Sequence, residues 1–274
     1  MTILAQLGLD IVKLWNTYAS IYLTGMWKTV SLAVICTLVG CLIGFLCGVL
    51  QTIPVGKKDN ALKKGLLGAL RGLIRAYVEV FRGTPMILQA VFVYYGLPYF
   101  TNNAVQWKSV WLAAFVVVAV NTGAYMAETV RGGILSVDPG QTEGAKAIGM
   151  THWQTMTSVI LPQALRSIMP QIGNNFIINL KDTSVMFIIG YTDFFATHKA
   201  VVGATFLYFP SATIEMAGYL FMTLVSSILL RLWEKRMDGS ASYDLATTDT
   251  LAHTSGMVRF HHKPKTTVQE ERGR

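Results

Sequence analysis

Charged residues are scarce in this chain. Asp, Glu, Lys and Arg make up 14% of its 274 residues, whereas 52% of the residues are hydrophobic. Soluble domains usually carry about 25% charged residues, so this composition excludes an ordinary water-soluble globular domain. It leaves room for several apolar runs of about 20 residues, the length at which a helix spans a lipid bilayer.

The chain also lacks the residue patterns of an enzyme. A phosphate-binding loop needs the spacing G-x-x-x-x-G-K-[ST]. The nearest candidate, Gly56-Lys57, fails because position 51 is Gln and Lys58 follows Lys57. The three cysteines fall in one apolar run at a spacing that fits no metal site, so they are expected to be reduced and buried. We therefore expect no catalytic site, no metal and no cofactor in this chain.

Five apolar segments dominate the sequence instead. They predict an all-α membrane protein with five transmembrane helices. The predicted spans cover residues 25–50, 77–100, 110–130, 159–180 with a continuation from residue 185, and 212–230. Pro162 and Pro170 are expected to break the fourth span. Broken helices are tolerated at membrane depth only where other protein or a cavity satisfies the freed backbone groups.

The distribution of basic residues predicts the orientation. Most of the 23 Lys and Arg residues lie between the first two spans, after the third span and after the last. Because cytoplasmic loops are enriched in these residues, we expect an N-terminus outside the cell and a C-terminus in the cytoplasm. This orientation accounts for the net charge of +8, so nucleic-acid binding is not expected.

The same reasoning divides the chain into three parts. They are an extracytoplasmic N-terminal segment (residues 1–22), a transmembrane domain (23–236) and a polar cytoplasmic tail (237–274). The tail lacks helical periodicity and is expected to be disordered.

A polar stretch, TEGAKAIGMTHWQTMTSVILP, lies between the third and fourth spans. Asp138 and Pro139 predict the start of a short helix, with Gln141 in the position that completes a capping box. Gly149 predicts its end. The glycine and alanine residues inside this helix leave one face almost bare. Such a helix either docks closely against another protein or serves as a tight connector between spans.

This stretch resembles the signature EAA-x3-G-x9-I-x-LP, which marks the membrane subunits of ABC importers. Glu143, Gly144 and Ala145 occupy the EAA positions and Gly149 the glycine position, while Val159 replaces the isoleucine. The stretches FRGTPMILQ, AETVRGGILSVDPGQTEGAKAIG and LKDTSVMF are similar to the polar amino acid branch of that family, the histidine and glutamine permeases.

The resemblance implies a type I ABC importer permease (MetI-like) fold in a bacterial inner membrane. The short helix would be the cytoplasmic coupling helix, in which Glu143, Gly144, Ala145 and Gly149 contact a separate ATPase subunit. Two copies of that ATP-binding subunit, which would hold ATP and Mg²⁺, are implied as partners. So are a second permease subunit, identical or homologous, and an extracytoplasmic solute-binding protein. The implied function is ATP-driven import of polar amino acids.

Ionisable side chains within the spans are candidates for the pathway, because charge at membrane depth is costly and marks a functional site or an internal partner. In the third span, Asn121, Tyr125 and Glu128 share one helical face. We interpret Glu128 as half of a gating ion pair with Arg82 or Arg131. Contact between Glu128 and the substrate is the alternative.

The stretch NNFIINLKDTS, residues 174–184, is the stronger substrate-binding candidate. A zwitterionic amino acid needs partners of both signs, and Lys181, Asp182, Thr183 and Ser184 supply a cation, an anion and two hydroxyls. Alternatively, these groups stabilise a break in the helix. Gln89 in the second span is a further candidate, although a lone polar residue can also bond a neighbouring helix.

A competing hypothesis is an ion-coupled secondary amino acid transporter, in which Glu128 and Asp182 would bind protons or sodium. Secondary transporters are often built from repeated halves. The sequence contains no convincing internal repeat, which favours the ATP-driven importer.

Overall fold

The computed structural model describes residues 3–56 and 60–238. The predicted tail from residue 239 onward and the basic pair Lys57 and Lys58 therefore lie outside the described residues. Within them the secondary structure is helical. The α-helices are α1 (Ile3–Thr52), α2 (Ala61–Gly83), α3 (Met86–Phe100), α4 (Val110–Leu135), α5 (Pro139–Ala147), α6 (His152–Thr155), α7 (Leu161–Asp182), α8 (Phe194–Thr205) and α9 (Tyr208–Asp238).

Helix α1 is much longer than the first predicted span. It continues without a break through residues 22 and 23, where we placed the boundary between the N-terminal segment and the transmembrane domain. Its 50 residues correspond to about 75 Å, more than twice the roughly 30 Å thickness of a hydrocarbon core. The N-terminal half packs through Leu14 and Tyr22 against Phe194 and Ile214, so it belongs to the folded body.

The centre of the fold is the contact between α1 and α4. Gly40, Gly44 and Gly48 form a stripe along α1, and the backbone of α4 lies directly against it. A Cβ atom added at Gly48 would come within 2.7 Å of Val130 Cβ. Small residues thus allow two helices to approach closely, as expected of packing inside a membrane.

The second predicted span is divided between α2 and α3. Helix α2 ends at Gly83, and α3 begins at Met86 and is only 15 residues long. The break follows from Pro85, which cannot donate a backbone N–H and disfavours helical geometry at the preceding residue. Thr84 accordingly has extended dihedral angles, φ −122° and ψ 145°.

The fourth predicted span is interrupted later than expected. Helix α7 runs through Pro170, and a π-helical turn (Met156–Ile160) precedes Pro162. A π-turn admits an irregular residue without ending the helix. The regular helix instead gives way to a 3₁₀ segment (Thr183–Ile189), which ends at Gly190 with a φ of 87°.

Three helices in the described ranges are long and apolar enough to cross a membrane: α1, α4 and the part of α9 from Tyr208 to Glu234. The segment from His152 to Ile189 together with α8, bent by 52°, supplies a fourth candidate. Helix α3 is apolar but shorter. The count of five spans therefore remains a prediction.

Candidate functional site

The predicted coupling helix is α5, which is fixed at both ends by local interactions. Asp138 caps its N-terminus by accepting a hydrogen bond from the backbone N–H of Gly140 at 2.6 Å, and Pro139 is the first helical residue. Gly149 terminates the turn after the helix with a φ of 83°. The side chain of Gln141 lies 3.4 Å from that of Gln163 on α7, which joins α5 to the next span.

The next helix begins with a complete capping box. The Thr151 hydroxyl accepts from the backbone N–H of Gln154 at 3.3 Å, and the Gln154 side chain accepts from the backbone N–H of Thr151 at 2.9 Å. Reciprocal bonds of this kind fix the direction in which a helix starts. Together with the caps of α5 they hold the segment between α4 and α7 in one conformation.

One face of α5 is left free. Ala145 is buried, whereas Glu143, Gly144 and Gly149 are exposed. A Cβ atom added at Gly144 would meet no atom of the described chain within 4 Å. The large apolar side chains of Ile148 and Trp153 are 80% and 73% exposed beside it. A bare helical surface flanked by exposed apolar groups is typical of a contact site for another protein.

A polar cavity of about 290 Å³ lies between the start of α3 and helices α4 and α7. Its polar lining consists of Thr84, Asn121, Thr122, Tyr125, Asn175, Asn179 and Asp182. Asp182 brings an ionisable carboxyl group to a cavity whose other polar groups are amides and hydroxyls. Concave sites with a few convergent polar groups are the usual form of small-molecule sites.

A buried hydrogen-bond network fixes one wall of this cavity. The hydroxyl of Thr122 donates to Asn179 Oδ1 at 3.1 Å, and Asn179 Nδ2 donates to Thr37 Oγ1 at 2.8 Å. One turn earlier on α7, Asn175 Nδ2 donates to the carbonyl oxygen of Gln171 at 3.0 Å. Because these bonds link α1, α4 and α7, the cavity wall is held by three helices.

The four consecutive residues predicted to bind substrate are placed differently from one another. Only Asp182 lines the cavity. Thr183 is fully buried and donates to the carbonyl oxygen of Leu180 at 3.2 Å. Lys181 is exposed, and Ser184 is half-buried in the 3₁₀ segment. The alternative interpretation, that hydroxyls stabilise a helix break, fits Thr183.

Asn175 and Asn179 were not among the predicted binding residues, although both fall in the stretch 174–184. Their spacing in the sequence could have identified them. Asn175, Asn179 and Asp182 recur at i, i+4 and i+7, the same spacing that placed Asn121 and Tyr125 on one face of α4.

Gln89 lies buried at the break between α2 and α3. Its Nε2 lies 2.9 Å from the backbone carbonyl oxygens of Phe81 and Thr84 and from Thr84 Oγ1, while its Oε1 accepts from Asn121 Nδ2 at 2.9 Å. Both ends of the carboxamide are thus engaged within the chain. This geometry favours the alternative in which Gln89 bonds a neighbouring helix.

Arg82 and Glu128 form an ion pair between the ends of α2 and α4. The guanidinium of Arg82 also lies 5.4 Å from the ring centroid of Tyr125, a cavity-lining residue. Both charged side chains are partly exposed, at 41% and 49%. Arg131, the other candidate partner of Glu128, is exposed on α4. The predicted gating pair is therefore placed beside the polar cavity, with Arg82 as the cation.

The family described as "Binding-protein-dependent transport system inner membrane component" matches residues 63–239, which include the break, the cavity and the exposed helix α5. This match covers more than half of the chain. The chain belongs to this family.

Individual relatives of this permease agree with the family match. It is 38% identical over 161 residues to the glutamine transport system permease protein GlnP of Escherichia coli (strain K12), covering 59% of this chain and 73% of that protein. It is 35% identical over 176 residues to the probable amino-acid permease protein YxeN of Bacillus subtilis (strain 168), covering 64% and 78%.

Solved structures show the same fold. The permease matches a chain from the crystal structure of an amino acid ABC transporter with histidines, with 33% identity, a TM-score of 0.71 and coverage of 83% of this chain and 97% of that one. A chain of the inward-facing MetNI methionine ABC transporter matches with a TM-score of 0.59, at 19% identity and coverage of 81% and 96%. The latter likeness concerns the fold alone.

These findings confirm the predicted all-helical ABC importer permease fold and the assignment of the chain to a membrane transport subunit. In such transporters ATP is hydrolysed by a partner subunit, so the permease itself is not the ATPase. The comparisons support the ATP-driven transporter and give no support to the ion-coupled alternative.

Proposed function

We propose that this permease forms the translocation pathway of an ATP-driven importer of polar amino acids. The two curated relatives above are named for glutamine and amino-acid transport, and the similar crystal structure is that of an amino acid ABC transporter. The observation that carries the ATP-driven function is the exposed face of α5. A capped helix with free space over Gly144 is suited to seat in a groove of an ATPase subunit.

The proposed coupling joint consists of Glu143, Gly144, Ala145 and Gly149. Ala145 attaches the helix to the rest of the chain, whereas the other three are exposed. The caps at Asp138 and Thr151 make the helix and its connections rigid, so a displacement of α5 is passed to α4 and α7. Those two helices contribute most of the polar cavity lining. ATP binding by the partner would thereby change the shape of the cavity.

The proposed substrate site is the polar cavity. Asp182 would receive the ammonium group of an amino acid, together with the side-chain carbonyl oxygens of Asn121 and Asn175, whose Nδ2 groups donate within the chain. The carboxylate group of the substrate would meet Arg82, whose guanidinium lies against the cavity residue Tyr125. A carboxyl group in the cavity and a guanidinium beside one of its lining residues suit a zwitterion. Its volume of about 290 Å³ is small, as a site for a single amino acid should be.

The proposed assembly contains two ATP-binding subunits, which hold ATP and Mg²⁺, a second permease subunit and an extracytoplasmic solute-binding protein. ABC importers of this fold occur with such partners, as in the alginate ABC transporter crystallised with its periplasmic protein. In our proposal the chain lies in the bacterial inner membrane with its N-terminus outside and its C-terminus in the cytoplasm. This orientation puts the exposed face of α5 on the side where ATP is available.

The substitution Gly144→Glu tests the coupling role. Because the added side chain meets open space within the described chain, the variant should insert into the membrane and remain folded. We expect it to lose ATP-dependent amino acid uptake in proteoliposomes and to co-purify less of the ATPase subunit. The matched control is Gly65→Glu on α2, where an added Cβ also meets no atom within 4 Å.

Two results would count against the proposal. Uptake by Gly144→Glu at the wild-type rate would show that α5 does not couple the subunits. Gradient-driven uptake by the permease alone, without an ATPase subunit, would support the secondary-transporter alternative.

A further inference from the structure

A second polar cluster is enclosed where α1, α8 and α9 meet, apart from the cavity and from α5. It contains Tyr22 of α1, His198 of α8, and Ser211 and Glu215 of α9. Tyr22 and Ser211 are completely buried, and His198 and Glu215 are 2% and 7% exposed. Ionisable residues are rarely enclosed to this degree unless they are paired.

The cluster is a chain of polar contacts that crosses three helices. Tyr22 Oη lies 2.6 Å from Ser211 Oγ, which lies 2.9 Å from His198 Nδ1. The same Nδ1 is 3.5 Å from Glu215 Oε2. The other carboxylate oxygen, Glu215 Oε1, is buried and has no hydrogen-bond partner in the described part of the chain.

The contact between His198 and Glu215 is longer than a charge-assisted hydrogen bond. A charge-assisted hydrogen bond between an imidazolium and a carboxylate is about 2.7–2.9 Å long, whereas these atoms are 3.5 Å apart. An ionised Glu215 would bury a charge with one oxygen unsatisfied, which is costly in an apolar environment. A neutral carboxylic acid beside a neutral imidazole buries no net charge.

The other groups that face Glu215 do not supply a compensating buried cation. Helix α1 contributes the phenol of Tyr22, and α9 contributes that of Tyr219. At the start of α8 lies a second carboxyl group, that of Asp193. The cation on α8, Lys199, is exposed and lies 5.5 Å and 6.0 Å from the ring centroids of Phe195 and Tyr208.

The carboxyl groups of Asp193 and Glu215 differ in the hydrogen bonds that they accept. Asp193 caps α8: its Oδ1 accepts from the backbone N–H of Ala196 at 2.9 Å, whereas its Oδ2, like Glu215 Oε1, is buried without a hydrogen-bond partner in the described part of the chain. A helix N-terminus stabilises negative charge, so Asp193 is better suited than Glu215 to carry that charge. Glu215 accepts no hydrogen bond from a backbone N–H of the described chain, and Asp193 lies near enough to oppose a second negative charge there. Of the two, Glu215 is the group suited to carry a proton.

We propose that Glu215 is a buried proton-binding site, and that its bound proton keeps α8 packed against α9. When the proton leaves to water, a carboxylate is left enclosed beside Asp193 and the packing between the two helices weakens. Tyr22, Ser211 and His198 would hold the site together by linking α1 to both helices. The site would make the fold and the transport cycle of this permease sensitive to alkaline pH.

The direct test is infrared spectroscopy of the full chain in lipid bilayers, titrated from about pH 5 to about pH 10, a range that lies above the ordinary pKa of a glutamic acid. We expect the wild-type spectrum to keep the carbonyl band of a protonated carboxylic acid at about pH 7, where ordinary carboxyl groups are ionised. Glu215→Gln should lose this band at that pH. The control Glu79→Gln, which removes an exposed carboxylate on α2, should keep it.

Above the midpoint of the titration the proton occupancy falls about tenfold for each pH unit. Thermal stability of the same samples gives a second, independent readout. A proton held only by the folded state stabilises it at low pH, and this contribution is lost as the pH rises. We therefore expect the melting temperature of the wild type to fall more steeply on alkalinisation than that of Glu215→Gln.

An infrared spectrum of Glu215→Gln identical to that of the wild type would overturn the proposal. So would equal slopes of melting temperature against pH in the two proteins. If the Gln variant fails to fold, the wild-type titration still decides, because the absence of a protonated-carboxyl band at every pH contradicts the site. None of these measurements depends on transport, so they are independent of the proposed function.

Discussion

The carboxamide of Gln89 donates to the backbone carbonyl oxygen of Phe81 at 2.9 Å, across the break between α2 and α3. The break leaves carbonyl groups without helical partners, and Gln89 together with Asn121 satisfies them. Asn121 Nδ2 donates both to that same oxygen of Phe81, at 3.1 Å, and to Gln89 Oε1. The two amides thus link α2, α3 and α4 through hydrogen bonds.

We expect Gln89→Ala to destabilise the permease by about 1–3 kcal/mol, the cost of leaving buried polar groups unsatisfied. The change also removes the acceptor of Asn121, an amide that lines the cavity. Thermal unfolding in detergent and in lipid would measure the loss. Gln163→Ala on the exposed side of α7 is the control and should change stability little. Equal stabilities of the two variants would contradict a structural role for Gln89.

The glycine stripe of α1 leads to a second prediction. A Cβ atom at Gly44 would overlap Met126 and the backbone of α4, which cannot move aside without separating the two helices. We expect Gly44→Ala to destabilise the fold by about 1–3 kcal/mol, as overpacking does. The same change at Gly65, which faces open space, should be neutral or stabilise α2 by about 0.5–1 kcal/mol.

Unfolding of both alanine variants under identical conditions would check this pair of expectations. If Gly44→Ala were as stable as Gly65→Ala, the close approach of α1 and α4 would not be a feature of the folded permease.

Local signals in the sequence predicted the ends of the short helices well. Asp138, Pro139 and Gly149 act on neighbouring backbone groups only, so their effect needs no knowledge of the rest of the fold. Thr151 and Gln154 form a capping box that likewise involves neighbouring backbone groups only. The prediction for Gln141 differed, because its side chain is near Gln163, a residue of another helix.

Features that depend on tertiary contacts were harder to predict. The apolar run around Pro85 predicts one span, whereas the structure breaks it there, because the residue before a proline is disfavoured in a helix. The break is stabilised because Gln89 of α3 and Asn121 of α4 donate hydrogen bonds to the carbonyl oxygen of Phe81. The sequence does not reveal these contacts. At Pro170 the opposite happens, and α7 continues through the proline. The cavity likewise required knowledge of which faces of α4 and α7 meet.

The ion pair of Arg82 and Glu128 gives a prediction about transport more than about stability. Because both side chains are 41–49% exposed, the pair should contribute less than about 1 kcal/mol to folding. We expect Arg82→Glu and Glu128→Arg each to reduce uptake severalfold, since each places like charges together beside Tyr125. The double reversal should recover most of the uptake.

A double-reversal variant that transports no better than either single variant would contradict the gating interpretation. That result would leave the proposed contact with the substrate carboxylate as the only transport role of Arg82. The measurement is ATP-dependent uptake by the assembled transporter, with protein levels in the membrane determined in parallel. Arg131→Glu serves as the control, because the structure pairs Glu128 with Arg82 instead.

Asp182 and Lys181 are adjacent in the sequence, and both were predicted to bind substrate, but their surroundings in the structure differ. Asp182 lines the polar cavity, whereas Lys181 is exposed. If the carboxylate of Asp182 receives the substrate ammonium group, Asp182→Asn should lower uptake at least about tenfold, since a charged hydrogen bond is worth about 1.5–3 kcal/mol. Lys181→Gln should change uptake less than about twofold. Both variants should retain ATP hydrolysis by the assembled complex, because neither residue belongs to α5. Equal losses of uptake in the two variants would place the substrate elsewhere in the permease and leave Asp182 with a role at the end of α7.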